Sequence, residues 1–343
     1  MLILKAIEEN KISLNQSLDK FFPEIENLKK ITIGNLLNHR SGIHDFTNEK
    51  SYSSYNTEFK SEKQMIEIIA KGKSDFEPNI KVEYSNSNYI VLSYILEKIY
   101  KKSHATILDS KIIKPLGLKN TYFGGKIQIQ NSESYSYHFI NKWDKGTETD
   151  LSILMGAGAI LSNSTDLNTF IEQLFNGKII SQKSLSVMTT MSDFNGMGML
   201  EFQNFEEKSY GHNGAIDDFQ SILSYFPKEK LSVALTSNGL IYPINNVLSC
   251  ALSCYFNKPF AMPIFNYVEL KPEVLDLYLG QYTSKLIPIK ITITKKGNKL
   301  LGQVMGQPAF PLEAAAINVF KFEQVGLVLE FDADKKEMIL KQG

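Results

Sequence analysis

Cysteine is nearly absent from this chain. Cys250 and Cys254 are the only two among 343 residues, which excludes a disulfide framework. They stand four apart in an apolar, helix-like run, so both are expected as buried structural thiols on one helix face. No His or carboxylate lies near them at ligand spacing, so they do not read as a metal site. No apolar run is long enough to span a bilayer; even Ile90–Ile95 is interrupted by Ser93 and Tyr94. Charge of one sign is not in excess either: 37 basic and 37 acidic side chains cancel, so no basic face points to nucleic acid and no acidic tail to disorder. The glycines of Met155–Ser162 lack the Gly-Lys-Ser/Thr of a phosphate loop. No Gly-x-Ser-x-Gly elbow occurs, and no motif calls for a cofactor or a metal.

What the chain does have is enough length for one large core and a second domain, with a hydrophobic content of 43%, that of a globular protein. Its amino terminus starts at full helical amphipathicity, with Leu2, Ile3, Ala6 and Ile7 on one face. It has neither the basic start nor the cleavage site of a leader. Thr32 reads as a helix N-cap ahead of Ile33, Leu36 and Leu37, and Arg40–His44 as a loop. Helical spacing recurs over Glu62–Lys71, Ile90–Ile99 and Leu167–Phe175. Ser132–Lys145 reads as a loop. The two glycines among alanines at Gly156 and Gly158 suggest close backbone approach. From Gly196 the period becomes that of strands, over Met197–Phe202, Ser209–Gly214, Asp218–Phe226 and Leu231–Ser237, with Val233–Leu235 expected to be buried on both faces. A helix over Ile244–Phe256 follows. Pro259, Pro263 and Pro272 mark a linker, and alternating strands over Ile287–Thr294, Leu300–Val304, Val319–Phe322 and Leu327–Phe331 make a small β-domain. The expected division is therefore 1–262 and 273–343.

Two stretches carry chemistry. Tyr84-Ser85-Asn86 sits between a loop and a helix start, where a phenol can handle protons and an amide can orient a substrate. The plainer reading is that Ser85 and Asn86 cap that helix. Gly211-His212-Asn213-Gly214 lies on a strand, where flanking glycines let a substrate backbone lie along the edge and leave the Ala215 N–H to face a developing oxyanion. The plainer reading there is a buried His in a tightly packed strand. His39 and His44 lack the spacing of a helical metal pair; His39 is expected to tether its loop by side-chain hydrogen bonds.

Taken in order, Ile3–Leu14, Ile31–Ile43, Tyr84-Ser85-Asn86, Ala157–Ser162 and Gly211–Gly214 resemble the serine β-lactamase and penicillin-binding-protein superfamily, in its class C-related esterase and peptidase branch. The resemblance runs from Met1 to about Phe260. It implies a mixed α/β fold of the α+β type, an antiparallel sheet flanked by helices with a helical lobe, and a small all-β C-terminal domain. It also implies Tyr84 as the acid/base, Asn86 as the substrate anchor, His212 as the strand residue that binds the substrate's acidic end or stabilises Tyr84, and Gly214 and Ala215 as the substrate-binding edge. A small-molecule or peptide substrate is implied, with an ester, amide or β-lactam opened through an acyl-enzyme.

The family's nucleophile is the serine of a Ser-x-x-Lys at the head of its central helix. Here Met1 aligns inside that helix, roughly two turns past the motif, so a truncated chain that cannot form the acyl-enzyme is expected. The only Ser-x-x-Lys present, Ser17–Lys20, falls on a turn after that helix. A non-catalytic binding protein for a cell-wall peptide is the alternative. Loss of the family's first strands would leave Leu231–Ser237 as an exposed edge prone to self-association. Family members are often exported to the periplasm or cell envelope, but these residues leave the compartment unassigned.

Overall fold

The computed structural model describes residues 1–140, 142–193, 195–204, 207–260, 267–284, 290–304 and 309–342. Pro263 and residue 262, the expected end of the first domain, lie outside them. The chain forms two compact units, Met1–Tyr135 with Thr147–Thr236, and Ser136–Gly146 with Ser237–Gly343.

In the first unit α1 (Leu2–Glu8) buries Leu2, Ile3, Leu4 and Ala6. Helix α2 (Ile33–Leu37) opens on Thr32, whose side chain and that of Asn35 satisfy each other's backbone N–H in a capping box. Ser61 and Gln64 do the same for α3 (Glu62–Lys71). The longest helix, α4 (Asn86–Tyr100), buries nine of its 15 residues, from Ser87 to Leu96. A helix apolar on nearly all sides belongs inside a core, and Ile90, Val91 and Ile95 are completely enclosed. Against it packs α5 (Leu151–Gly158). A Cβ on Gly156 would stand 2.6 Å from the Tyr89 carbonyl oxygen and 2.9 Å from the Ser93 Cβ, whereas one on Gly158 would meet only ordinary contacts. The close approach expected from the two glycines is thus confined to Gly156. Helices α6 (Ser164–Phe175) and α7 (Gln182–Met188) follow, and shorter helical turns run from His104 to Leu116.

The sheet of this unit runs β1 (Leu200–Asn204), β2 (Glu207–Ile216), β3 (Phe219–Phe226), β4 (Leu231–Ser237), in that order. Both pairings of β2 are antiparallel. Pairing with β1 stops at Leu200↔Gly211, but pairing with β3 continues to Ile216↔Phe219. Among the described residues, 212–216 therefore hydrogen-bond as a ladder on one side only. Strand β4 lies at the sheet's other edge. Val233, Ala234 and Leu235 are half-buried there and not buried on both faces as expected, because an edge strand has one flank open.

In the second unit Tyr137–Phe139 and Trp143–Lys145 pair as a short hairpin, where the polar composition suggested only a loop. Helix α8 (Ile244–Tyr255) buries Leu248, Leu252 and Ser253. That stripe sets the rotation of the helix, and it leaves Cys250 half-buried and Cys254 exposed. The expectation of two buried thiols is corrected accordingly. The rest is a seven-stranded antiparallel meander from Gly280–Thr283 to Glu337–Gln342, each strand beside its neighbour in sequence. Leu327–Asp332 alternates buried and half-buried, the period of a strand with one face inward. The core gathers Tyr278, Leu300, Phe320, Leu329 and Phe331.

Candidate active site

The loop after α2 is fastened to the start of α4 by side chains that sequence reading left unassigned. Ser85 occupies the N-cap position of α4 but makes no capping hydrogen bond. Its hydroxyl is buried without a partner among the described residues, so it is unsuited to act as a nucleophile. The cap comes from Asp45, whose carboxylate accepts from the Asn86 backbone N–H (3.0 Å) and from Asn86 Nδ2 (2.9 Å). The same carboxylate accepts from the Thr47 N–H (3.0 Å) and Thr47 Oγ1 (2.9 Å). Because a carboxylate only accepts, Asn86 must turn its NH₂ toward Asp45. Its Oδ1 is left to receive a donor from outside. Ser87 adds a second tie, donating to the His44 carbonyl (2.6 Å) and accepting from the Phe46 N–H (3.2 Å). Asp45 was missed because its partner lies 41 residues away. The one local signal is an Asp two places before a Thr, an Asx-turn pattern.

Tyr84 precedes this cap with 44% of its surface exposed. Its phenol oxygen has no hydrogen-bond partner among the described residues. Partial burial, and next the Asp45 carboxylate, raise its pKa above the usual phenol value. The ring stacks on His39, centroids 4.4 Å apart, and lies 6.1 Å from the ring of His212. His39 tethers its loop as expected: its Nδ1 accepts from the Ser85 N–H at 3.1 Å. The Nδ1 of His212 lies 2.5 Å from the carbonyl of Asn213. A carbonyl can only accept, so Nδ1 carries the proton, and in the neutral ring Nε2 is an acceptor.

Gly214 and Ala215 are exposed on the one-sided stretch of β2. Gly211 is needed for packing, since a Cβ there would fall 1.8 Å from the Leu223 carbonyl oxygen of β3. The structure thus brings Tyr84, Asn86 and His212 together around His39 and Asp45, and puts Gly214 and Ala215 further along the same strand. Arg40, the only arginine in the chain, ties this loop outward. It donates to the Asn79 carbonyl (3.4 Å) and to Ser192 Oγ (2.5 Å) and pairs with Asp193 (3.4 Å).

Chemically, the group offers a partnerless phenol, a fixed amide oxygen, an imidazole acceptor and an open strand edge. Among the described residues no three His, Cys, Asp or Glu side chains gather as a metal site; His44 is engaged with Asp75 and Glu49. A surface depression of about 300 Å³ lined by Lys5, Lys111 and Lys178 shares no residue with this group. No helix among the described residues is long and apolar enough to cross a membrane.

The Beta-lactamase family profile matches residues 1–243. PbpX of Bacillus subtilis (strain 168) is 27% identical over 242 residues, 69% of this chain and 58% of that protein. The teichoic acid D-alanine hydrolase of Staphylococcus aureus (strain MRSA252) is 30% identical over 193 residues, 53% of this chain and 45% of that protein. The chain therefore spans about half the length of the curated relatives it matches. Among solved structures, the D-amino acid amidase from Ochrobactrum anthropi SV3, complexed with L-phenylalanine amide, has a TM-score of 0.67 at 24% identity, over 75% of this chain and 80% of that one. The octameric penicillin-binding protein homologue from Pyrococcus abyssi has a TM-score of 0.63 at 19% identity, over 99% of this chain and 80% of that one. The chain belongs to the Beta-lactamase family, and its fold is the mixed β-lactamase/transpeptidase-like fold with an all-β C-terminal domain.

Proposed function

We propose that this chain carries the proton-handling and substrate-orienting part of a serine acyl-transfer site, and that these 343 residues alone do not form an acyl-enzyme. The observation that carries the reading is the convergence of Tyr84, Asn86 and His212, with the Tyr84 phenol stacked on His39 and without a hydrogen-bond partner. In the reaction a serine hydroxyl attacks the substrate carbonyl. Tyr84 relays its proton to the leaving group, Asn86 Oδ1 accepts from the substrate, and a backbone N–H near Ala215 faces the oxyanion. The serine and its lysine would come from a Ser-x-x-Lys outside these residues. Ser17 does not supply it: its hydroxyl is engaged by Asp19, and Lys20 is exposed.

The names of the hydrolase and the amidase support an acyl group from a D-amino acid as the substrate class, in ester or amide linkage. A form of the protein that includes a Ser-x-x-Lys should release product from D-alanyl esters or D-amino acid amides at least tenfold faster than from the L-isomers or a cephalosporin. Equal rates on both isomers would reject the D-acyl assignment. The missing nucleophile equally supports a second reading, a non-catalytic protein holding a cell-wall peptide in the same cleft. A peptide bound tightly by the chain, but left intact by the form carrying Ser-x-x-Lys, would favour it.

Self-association is part of the same reading, through the open edge of β4. Sizing at increasing concentration should give a rising mass. A monodisperse monomer at high concentration would count against it.

A further inference from the structure

Beneath Tyr84 lies a run of buried polar groups that acyl transfer does not itself require. His39, Ser41 and Asn88 are each at most 3% exposed. The Ile43 N–H donates to Ser41 Oγ at 3.0 Å, so the Ser41 hydroxyl proton is free to go on to Asn88 Oδ1, 2.6 Å away. That fixes the amide of Asn88, whose Nδ2 then faces His39 Nδ1 at 3.3 Å. The Ser85 N–H, which can only donate, points at the same nitrogen. Two donors on Nδ1 leave it no proton of its own. The proton of the neutral ring is then on Nε2, which has no hydrogen-bond partner among the described residues. The ring is stacked between two phenols in sequence on the same segment, Tyr84 at 4.4 Å and Tyr89 at 5.2 Å, and Tyr89 is held by its own bond to the Leu37 carbonyl at 2.8 Å. His39 itself has a φ of 56°, a left-handed conformation that costs a non-glycine residue energy and persists where its surroundings enforce it.

We propose that His39 is a positioning residue for Tyr84: the Ser85 N–H and the Ser41–Asn88 relay together lock its imidazole as the neutral Nε2–H tautomer, giving the phenol an uncharged, fixed platform. The proposal rests on the reading of Tyr84 as the proton-handling group. The titratable groups that face His39 are Tyr84 and Tyr89 from its stack, His212 from β2 and Asp45 from its own loop. Burial, and then His212, depress the pKa of His39 to about 4, while Asp45 opposes the shift. Were the ring to take up a proton, its Nδ1–H would collide with two donors. A cation would then stand 4.4 Å from the phenol and draw the proton off it.

The test uses the full 343-residue chain and needs no turnover, so it stands apart from acyl-enzyme formation. With ¹⁵N-histidine, His39 should show an unprotonated Nδ1 and a protonated Nε2, without titration above about pH 5. Asn88→Asp puts a carboxylate opposite Nδ1. It should protonate His39 at pH 7 and lower the proton affinity of the Tyr84 phenol about tenfold, read by ¹³Cζ-tyrosine signals assigned with Tyr84→Phe. Ser41→Ala releases the Asn88 amide, so Nδ1 should keep the Ser85 N–H, stay unprotonated and shift its ¹⁵N resonance as the second donor is lost; this variant carries the test if Asn88→Asp does not fold. An Nδ1–H tautomer or titration near pH 6.5 in the unaltered chain would overturn the proposal. So would an unmoved Tyr84 titration beside a charged His39, or an unmoved His39 Nδ1 resonance in Ser41→Ala.

Discussion

Asp45→Ala is expected to destabilise the first unit by roughly 3 kcal/mol or more, although Asp45 belongs to no helix or strand. Four donors converge on its buried carboxylate: the backbone and side chain of Asn86, and the backbone and side chain of Thr47. Removing the acceptor strands them at a site 6% exposed, and each unpaired buried donor costs about 1–3 kcal/mol before water or repacking relieves it. The first turn of α4 loses its cap at the same time, worth about 1 kcal/mol. Asp45→Asn should recover part of the loss, since one acceptor oxygen remains. The check is urea unfolding of the three proteins at one pH. A loss below about 0.5 kcal/mol for Asp45→Ala would show that the loop and helix do not depend on this group. The freed Asn86 would also lose its fixed orientation, so the variant joins stability to the geometry of the site.

Acid should weaken the fold well above the range where ordinary carboxylates titrate. Burial holds both His39 and His104 near a pKa of about 4, below the usual imidazole value of 6.5. His104 is 6% exposed, and its Nδ1 has no hydrogen-bond partner among the described residues. Between those values the unfolded chain binds the protons that the folded chain refuses. Stability therefore falls as pH falls from about 6.5 toward 4, and is fully present above 6.5. One pKa unit corresponds to about 1.4 kcal/mol, so each histidine contributes roughly 3 kcal/mol across the window. Melting temperatures measured from pH 7.5 to 4.5 should drop steadily below 6.5, and His104→Gln should remove about half of the slope. A flat profile over that range would contradict the burial of these two rings.

The parts of the fold that were legible in the sequence are those set by local pattern. The Thr32 cap, the Glu62–Lys71 helix and the hairpin strands of the sheet depend on neighbours within a few residues, and the structure has them in place. Gly156 was legible as a close approach, but only coordinates could separate it from Gly158, because the difference lies in where Tyr89 passes. The rotation of α8 was not legible: an apolar helix offers several faces, and the buried one runs through Leu248 and Leu252. The hairpin at Tyr137–Lys145 was hidden by its polar composition. In the candidate site, Tyr84-Ser85-Asn86 and Gly211–Gly214 stood out by residue type, and the roles expected of Tyr84, Asn86 and His212 came from the family resemblance. Asp45 and the Ser41–Asn88–His39 relay did not, because each is a long-range hydrogen bond between side chains that read locally as loop and helix filler.

The central proposal is that Tyr84, Asn86 and His212 form the acid/base and anchoring part of an acyl-transfer site whose serine and lysine are not among these 343 residues. Residues that work as a unit in acyl transfer fail as a unit, so removing the serine takes away nearly all turnover. The direct measurement is covalent labelling by a fluorophosphonate probe, followed by mass spectrometry. The account predicts no adduct on the 343-residue chain. It predicts a stoichiometric adduct on a single serine in a form of the protein that carries a Ser-x-x-Lys, with labelling slowed at least a hundredfold by Tyr84→Phe. Stoichiometric labelling of the 343-residue chain at Ser17 or Ser85 would contradict the account, as would full-speed labelling of the longer protein after Tyr84→Phe.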